Sequence, residues 1–148
     1  MALDELYREV ILDHFEHPRN KGKLEPHEVF EHGSNPLCGD KLDLYMNFDS
    51  EGKVKDVKFE GSGCSISQSS ISMLTEAIMG KSYDEINKII ADFKLMMTGN
   101  QPNPFAENEE LEDLAALEGV KKYPVRVKCA LLGWNTLAEA LNKKFSHS

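Results

Sequence analysis

Strict alternation of apolar and polar residues after Lys41 is the feature that most constrains the fold. The apolar residues of this run stand at every second position: Leu42, Leu44, Met46 and Phe48. Such a period of two is typical of a β-strand with one buried face. Turn residues follow at positions 50–52, and a second alternating run places Val54 on one face and Val57 and Phe59 on the other. These two runs predict an antiparallel hairpin.

Apolar residues at steps of three and four predict helices on both sides of this hairpin. The patterns cover residues 3–15, 66–78, 83–97 and 130–145, with a short acidic helix at 109–117. Pro18 stops the first helix, Ser82 and Glu85 form a capping box for the third, and residues 98–104 break the chain. With residues 29–32 as a third strand, the fold class is α+β. We expect a small three-stranded antiparallel sheet with an N-terminal helix and several C-terminal helices packed on it.

Composition sets broad limits on what the chain can be. Its 148 residues, 41% hydrophobic and 28% charged, predict a single domain over residues 1–148 that buries its own core. No signal peptide and no apolar run of roughly 18 residues is visible, so we expect a cytoplasmic protein without a membrane span. A net charge of −8 with scattered basic residues argues against nucleic-acid binding.

Three cysteines, Cys38, Cys64 and Cys129, are the only thiols in the chain. An odd number cannot form a closed disulfide framework, so we predict that they are reduced and gathered on one metal ion. Cys38 lies in a loop before a strand, whereas Cys64 and Cys129 are predicted at the starts of two helices. A helix N-terminus lowers the pKa of a thiol and favours the thiolate that binds metal or attacks sulfur.

Asp40, two residues after Cys38, is the predicted fourth ligand of a tetrahedral site. Three thiolates, one carboxylate and a zinc ion carry a formal charge of about −2. Arg126 and Lys128 lie two residues apart, and on an extended segment they would share a face near Cys129. They are the predicted supporting residues, which offset this charge or meet a partner; ordinary solvated charge is the alternative.

The motifs resemble the U-type iron–sulfur cluster assembly proteins, the IscU and NifU family. They are DHFEHPRNKG at residues 13–22, NPLCGD at 35–40, GSGCS at 61–65 and KC at 128–129. The blocks stand in the family's order over nearly the whole chain. Lys128 replaces the histidine that precedes the third cysteine in IscU, a longer segment covers residues 99–119, and the Leu-Pro-Pro-Val-Lys chaperone segment is absent. These departures look like the SufU branch.

The resemblance to SufU implies a zinc-dependent sulfur carrier in iron–sulfur cluster biogenesis, not a stand-alone enzyme. Its implied partners are a SufS-type pyridoxal-phosphate cysteine desulfurase and the cluster assembly machinery. Carried over by motif, the zinc ligands are Cys38, Asp40, Cys64 and Cys129. Cys38 is the implied persulfide acceptor, released from zinc when a partner histidine replaces it.

Three alternatives remain open at the level of sequence. A scaffold would use the same four residues to build a transient [2Fe-2S] cluster, with iron in place of zinc. A cysteine hydrolase or peroxidase would need an activating base beside a thiol, and a structural zinc module would leave Cys38 unreactive. The acidic residues 107–113 are interpreted as a solvated helix face, and residues 99–119 have no assigned role.

Overall fold

The computed structural model describes residues 3–37, 39–99 and 102–145, with side chains from Tyr7 onward. Three strands come early in the chain: β1 (Val29–Asn35), β2 (Asp40–Phe48) and β3 (Val54–Ser62). The helices are α1 (Leu3–Glu16), α2 (Ser65–Ile78), α3 (Tyr83–Thr98), α4 (Glu112–Ala115) and α5 (Pro124–Phe145), with a 3-10 helix (Ala116–Lys122) before α5. The predicted α+β class and three-stranded sheet are confirmed. The predicted break at residues 98–104 includes residues 100 and 101, which lie outside the described residues.

The sheet has the strand order β1-β2-β3, and both pairs are antiparallel. All four alternating apolar residues of β2 are buried, as their period predicts. In β3 the prediction that Val54 lies on the face opposite Val57 is wrong, because both residues are buried on the same side. The register shifts between Asn47 and Phe48 opposite this point. A bulge adds one residue locally and so reverses the alternation.

The main core lies between one face of the sheet and helices α2 and α5. Ile71 of α2 faces Gly133 of α5, where a Cβ atom would lie 2.8 Å from the Ile71 side chain. Glycine therefore permits the close approach of the two helices. Trp134, fully buried, donates from Nε1 to Ser70 Oγ (3.1 Å), and Ser70 donates to a backbone carbonyl of α5 at 2.7 Å. These contacts fix α5, which contains Cys129, against α2, which follows Cys64.

Two helix predictions need correction. The last helix begins at Pro124, six residues before the predicted start; proline is favoured at the first helical position because its missing N–H would be unpaired there anyway. The predicted acidic helix is shorter, since only residues 112–115 are α-helical before the 3-10 helix. None of the helices in the described part of the chain has the length and apolar character that crossing a membrane requires.

His14 joins α1 to two distant parts of the chain. Its imidazole is fully buried, Nδ1 lies 2.8 Å from Ser72 Oγ, and Nε2 lies 2.8 Å from Asp113 Oδ2. The hydrogen bond from His14 holds the pKa of Asp113 below its usual value of 3.8, so Nε2 donates to an ionised carboxylate. Asp113 is half-exposed, as a solvated face implies, but its carboxylate also anchors α4 to α1.

We expect Asp113→Asn to lower the free energy of unfolding at pH 7 by about 1–2 kcal/mol, because a charge-assisted hydrogen bond to a buried imidazole is weakened. Because the pKa of Asp113 is lowered in the folded state, its contribution to the free energy of unfolding is complete above pH 3.8. This contribution disappears as the pH falls through the lowered pKa. Urea unfolding between pH 7 and pH 3 should show a smaller acid loss in the variant than in the wild type. Exposed Glu112→Gln is the control, and equal stability of Asp113→Asn and wild type would contradict the assignment.

Candidate metal centre

Asp40 begins β2 and pairs in register with Asn35, the last residue of β1. Its carboxylate is fully buried. Oδ1 accepts a hydrogen bond from the backbone N–H of Cys64 at 3.0 Å, whereas Oδ2 has no hydrogen-bond partner among the described residues. A buried carboxylate oxygen is costly to leave without a partner. This oxygen is therefore available for a cation.

Cys64 is the N-cap residue of α2, with extended φ and ψ of −75° and 168°, and this confirms its predicted place at a helix start. The residue before it, Gly63, has φ of +153°, and a Cβ atom there would overlap Asp40 Oδ1 and lie 2.7 Å from Ser67 Oγ. Glycine is thus required both by the backbone conformation and by the carboxylate beside it. The chain is shaped locally to bring Asp40 against the N-terminus of α2.

Cys129 completes a compact group with Asp40 and Cys64. One ligand atom from each of the three lies within 4.8 Å of the other two. Cys129 is fully buried, and its Sγ lies 3.7 Å from the carbonyl of Val125. It is not at a helix start as predicted but is the sixth residue of α5. The helix dipole falls off within the first turn, so it does not supply the positive charge near Cys129.

Arg126 supplies that charge. Its guanidinium interacts with the side chains of both Cys64 and Cys129, and the interaction with Cys64, the larger of the two, raises the pKa of Arg126 above its usual value. Arg126 precedes Cys129 by three residues in α5, so both side chains project from one helix face. The residue itself is exposed. It therefore forms a cationic cover between the two thiols and solvent.

The structure does not bring Lys128 to this group. Residues two apart on an α-helix differ by about 200° in direction, and Lys128 lines a separate hollow with His32 and Asn135. The prediction that Arg126 and Lys128 share a face on an extended segment is wrong, because α5 is already helical at both positions. Cys38 lies outside the described residues, in the segment that joins β1 to β2.

Two buried amides near the group were not anticipated. Asn35 Nδ2 and Gln68 Oε1 have no hydrogen-bond partner among the described residues. Asn35 pairs with Asp40 across the hairpin, and Gln68 lies one turn after Cys64, with its backbone N–H bonded to the Cys64 carbonyl at 3.1 Å. The sequence signals were modest: Asn35 opens the NPLCGD motif, and Gln68 is a polar residue on a helix face that the structure buries.

The donor set suits a thiolate-binding metal. Thiolate sulfur favours zinc or iron–sulfur chemistry over magnesium or calcium. Ligand sulfurs at about 2.3 Å from a tetrahedral zinc ion stand about 3.8 Å apart, which the 4.8 Å grouping of Asp40, Cys64 and Cys129 accommodates. The partnerless Oδ2 of Asp40 adds an oxygen donor. The three residues fit a zinc ion that has one further ligand.

The fold and this group define a class, namely small α+β proteins with a thiol-rich candidate metal centre between a hairpin end and two helices. The chain belongs to the NifU-like N-terminal domain family, whose model matches residues 6–142. This family includes iron–sulfur cluster assembly scaffolds and a sulfurtransferase. The resemblance drawn from the four sequence motifs is confirmed.

Three relatives illustrate the similarity. The chain is 44% identical over 142 residues to the zinc-dependent sulfurtransferase SufU of Bacillus subtilis, covering 96% of this chain and 93% of the relative. It is 41% identical to the iron–sulfur cluster assembly scaffold protein IscU of Thermotoga maritima, covering 97% of each. A crystal structure from Fervidobacterium islandicum, described as a scaffold protein for the SUF system, matches with a TM-score of 0.82 at 38% identity, covering 95% of this chain and 99% of that one.

Proposed function

We propose that this chain is a zinc-dependent sulfur carrier that accepts persulfide sulfur from a cysteine desulfurase on Cys38. The observation that carries the proposal is the group of Asp40, Cys64 and Cys129 within 4.8 Å, covered by Arg126. The similarity to a zinc-dependent sulfurtransferase at 44% identity supports it. Lys128 takes the place of the histidine found in IscU, and an ammonium group has no lone pair for a metal.

The proposed transfer is a thiol–persulfide exchange. The Cys38 thiolate attacks the outer sulfur of the persulfide on the donor's cysteine, so that a new S–S bond forms at Cys38. The S–S bond on the donor breaks, and the donor cysteine leaves as a thiolate. Cys38 becomes the oxidised persulfide and the donor is reduced to a thiol, so no external oxidant is required.

Asp40, Cys64 and Cys129 are the residues that would hold the zinc ion with Cys38. When bound, zinc keeps its thiol ligands deprotonated at neutral pH. The chain's own residues do the remaining work. The Cys64 N–H fixes the orientation of Asp40, burial of Asp40 and Cys129 excludes water from one side of the group, and Arg126 faces solvent where a partner must approach.

We expect Arg126→Ala to slow sulfur acceptance by about 10- to 100-fold, the effect of removing hydrogen bonds to a charged group. The reason is that the guanidinium contacts both thiols and stabilises their anionic forms. The rate is measured as alanine formation by the desulfurase at saturating carrier. The circular dichroism spectrum should not change, because the Arg126 side chain lies outside the core.

Lys128→Ala is the matched control for this experiment. It removes a positive charge from the same helix two residues away, but its side chain lines the separate hollow beside β1. The rate of Lys128→Ala should stay within about twofold of wild type, as expected for a surface charge away from the site. Equal loss in both variants would show a general charge effect and contradict the role given to Arg126.

A cluster assembly scaffold is the second candidate function. The IscU scaffold of Thermotoga maritima is 41% identical to this chain, and the same thiol-rich group would suit a [2Fe-2S] cluster. The two candidates separate in one experiment. A scaffold would form a stable cluster under anaerobic reconstitution with iron and sulfide. The proposed carrier would stimulate the desulfurase with zinc bound, and added iron would not increase that stimulation.

A further inference from the structure

A groove runs beside the candidate metal centre. It lies between α1, the start of α2, the 3-10 helix and the start of α5. Its volume is about 640 Å³, which is room for several side chains of a partner. Its lining is mainly apolar and includes Ile11, Leu12, Ile66 and Val120. Leu12 is 41% exposed although it is a large apolar residue. We call this surface the basic groove.

The charge of the basic groove is opposite to that of the chain. Arg8, Lys122 and Arg126 line it, and the described residues that line it include no acidic side chain. The whole chain carries a net charge of −8. An approaching acidic surface is therefore repelled by most of the molecule and attracted here, which favours one orientation of a partner.

The basic groove is continuous with the surface above the thiols. Tyr123 and Arg126 line both the groove and a neighbouring hollow that reaches Leu37. Three apolar side chains around this second hollow are largely exposed: Leu37 (71%), Tyr123 (62%) and Val125 (58%). Leu37 immediately precedes Cys38. Exposed apolar residues grouped beside a reactive group are typical of a protein-binding surface.

We infer that the basic groove receives an apolar segment with acidic side chains from the protein that donates sulfur to Cys38. The inference rests on the proposed function and names the docking surface for its donor. The apolar side chains of the segment would cover Leu12 and Ile66, while its carboxylates would pair with Arg8 and Lys122. Docking there places the donor beside Arg126, which already contacts the two thiols.

A second copy of the chain is the competing occupant. The acidic residues 107–113 carry several carboxylates, which would pair with the basic side chains of the groove on another molecule. Such an arrangement would produce a dimer that dissociates when the groove charges are reversed. The oligomeric state of the wild type distinguishes this occupant from the sulfur donor.

The test is the double variant Arg8→Glu/Lys122→Glu, assayed with the cysteine desulfurase of the same organism. The carrier concentration for half-maximal alanine formation should rise by at least about tenfold, because two attractive contacts become repulsive. Transfer of sulfur to Cys38 from a small persulfide such as glutathione persulfide should not change, since that donor needs no docking surface. The control Lys55→Glu/Lys88→Glu makes the same charge change at exposed positions on β3 and α3 and should behave as wild type.

Three results would overturn the inference. The first is a half-maximal concentration for the groove variant within twofold of both wild type and control. The second is an equal loss of sulfur transfer from glutathione persulfide, which would place the defect in the candidate metal centre and not in docking. The third is a wild-type dimer, seen by sedimentation, that the groove variant abolishes. Absence of any stimulation by the wild type would instead refute the proposed function, and the inference with it.

Discussion

Cys38→Ala is expected to lower alanine formation by the desulfurase to the rate of the desulfurase alone. Without the Cys38 sulfur atom no S–S bond can form on the carrier, so the outer sulfur stays on the cysteine of the desulfurase. The effect is a complete loss of stimulation. The same variant should take up no labelled sulfur when the desulfurase is supplied with cysteine labelled at sulfur.

Removal of Cys38 also removes a proposed zinc ligand, so a second variant is needed. Cys38→Asp replaces the thiol with a carboxylate oxygen that can bind zinc but cannot accept sulfur. We expect Cys38→Asp to retain zinc, as measured by metal analysis, and still to give no stimulation. Stimulation by zinc-loaded Cys38→Asp would show that another group accepts sulfur and would contradict the proposed role of Cys38.

Asp40→Ala should weaken zinc binding by at least about 10- to 100-fold, the loss observed when only a supporting residue of a metal site is removed. Asp40 is fully buried, and its Oδ2 has no hydrogen-bond partner among the described residues, as expected of a ligand atom. The change also removes the acceptor for the Cys64 N–H. Chelator competition measures the affinity directly.

Asp43→Ala is the matched control for Asp40→Ala. Asp43 lies three residues further along β2, where its carboxylate bonds exposed His32 at 2.7 Å. We expect its zinc affinity to equal that of wild type. Asp40→Asn adds a second comparison, because it keeps an oxygen that can accept from the Cys64 N–H but removes the negative charge. Wild-type zinc affinity in Asp40→Ala would exclude Asp40 as a ligand.

Local patterns in the sequence predicted most of the fold. The alternation of Leu42, Leu44 and Met46 depends only on the period of a strand, and these residues are buried as expected. The capping box of Ser82 and Glu85 is present with both of its hydrogen bonds. Such features are determined within a few residues, so they need no knowledge of the rest of the chain.

The errors arose where the structure depends on distant contacts or on a local irregularity. The bulge at Asn47 and Phe48 changed the face of Val54, and no alternating pattern reveals such an insertion. Asp113 lies 99 residues from His14, so the sequence pattern did not reveal the hydrogen bond between them. Pairing across that separation is determined by the packing of α4 against α1, which periodicity does not specify.

The candidate site was predictable in composition but not in geometry. Motif positions indicated Asp40, Cys64 and Cys129, and the structure brings these three together. The separate places of Arg126 and Lys128 followed from the helix that begins at Pro124. Proline is favoured at the first position of a helix. A helix start predicted at Pro124 would have placed the side chains of Arg126 and Lys128 on different faces of that helix.

The most direct test of the sulfur-carrier proposal is to locate the transferred sulfur atom. Zinc-loaded protein is mixed with the desulfurase and cysteine for a single turnover, thiols and persulfides are alkylated, and peptides are analysed by mass spectrometry. The account predicts one added sulfur on Cys38, with Cys64 and Cys129 unmodified. Added sulfur on Cys129 or Cys64, or no added sulfur on any of the three, would contradict it.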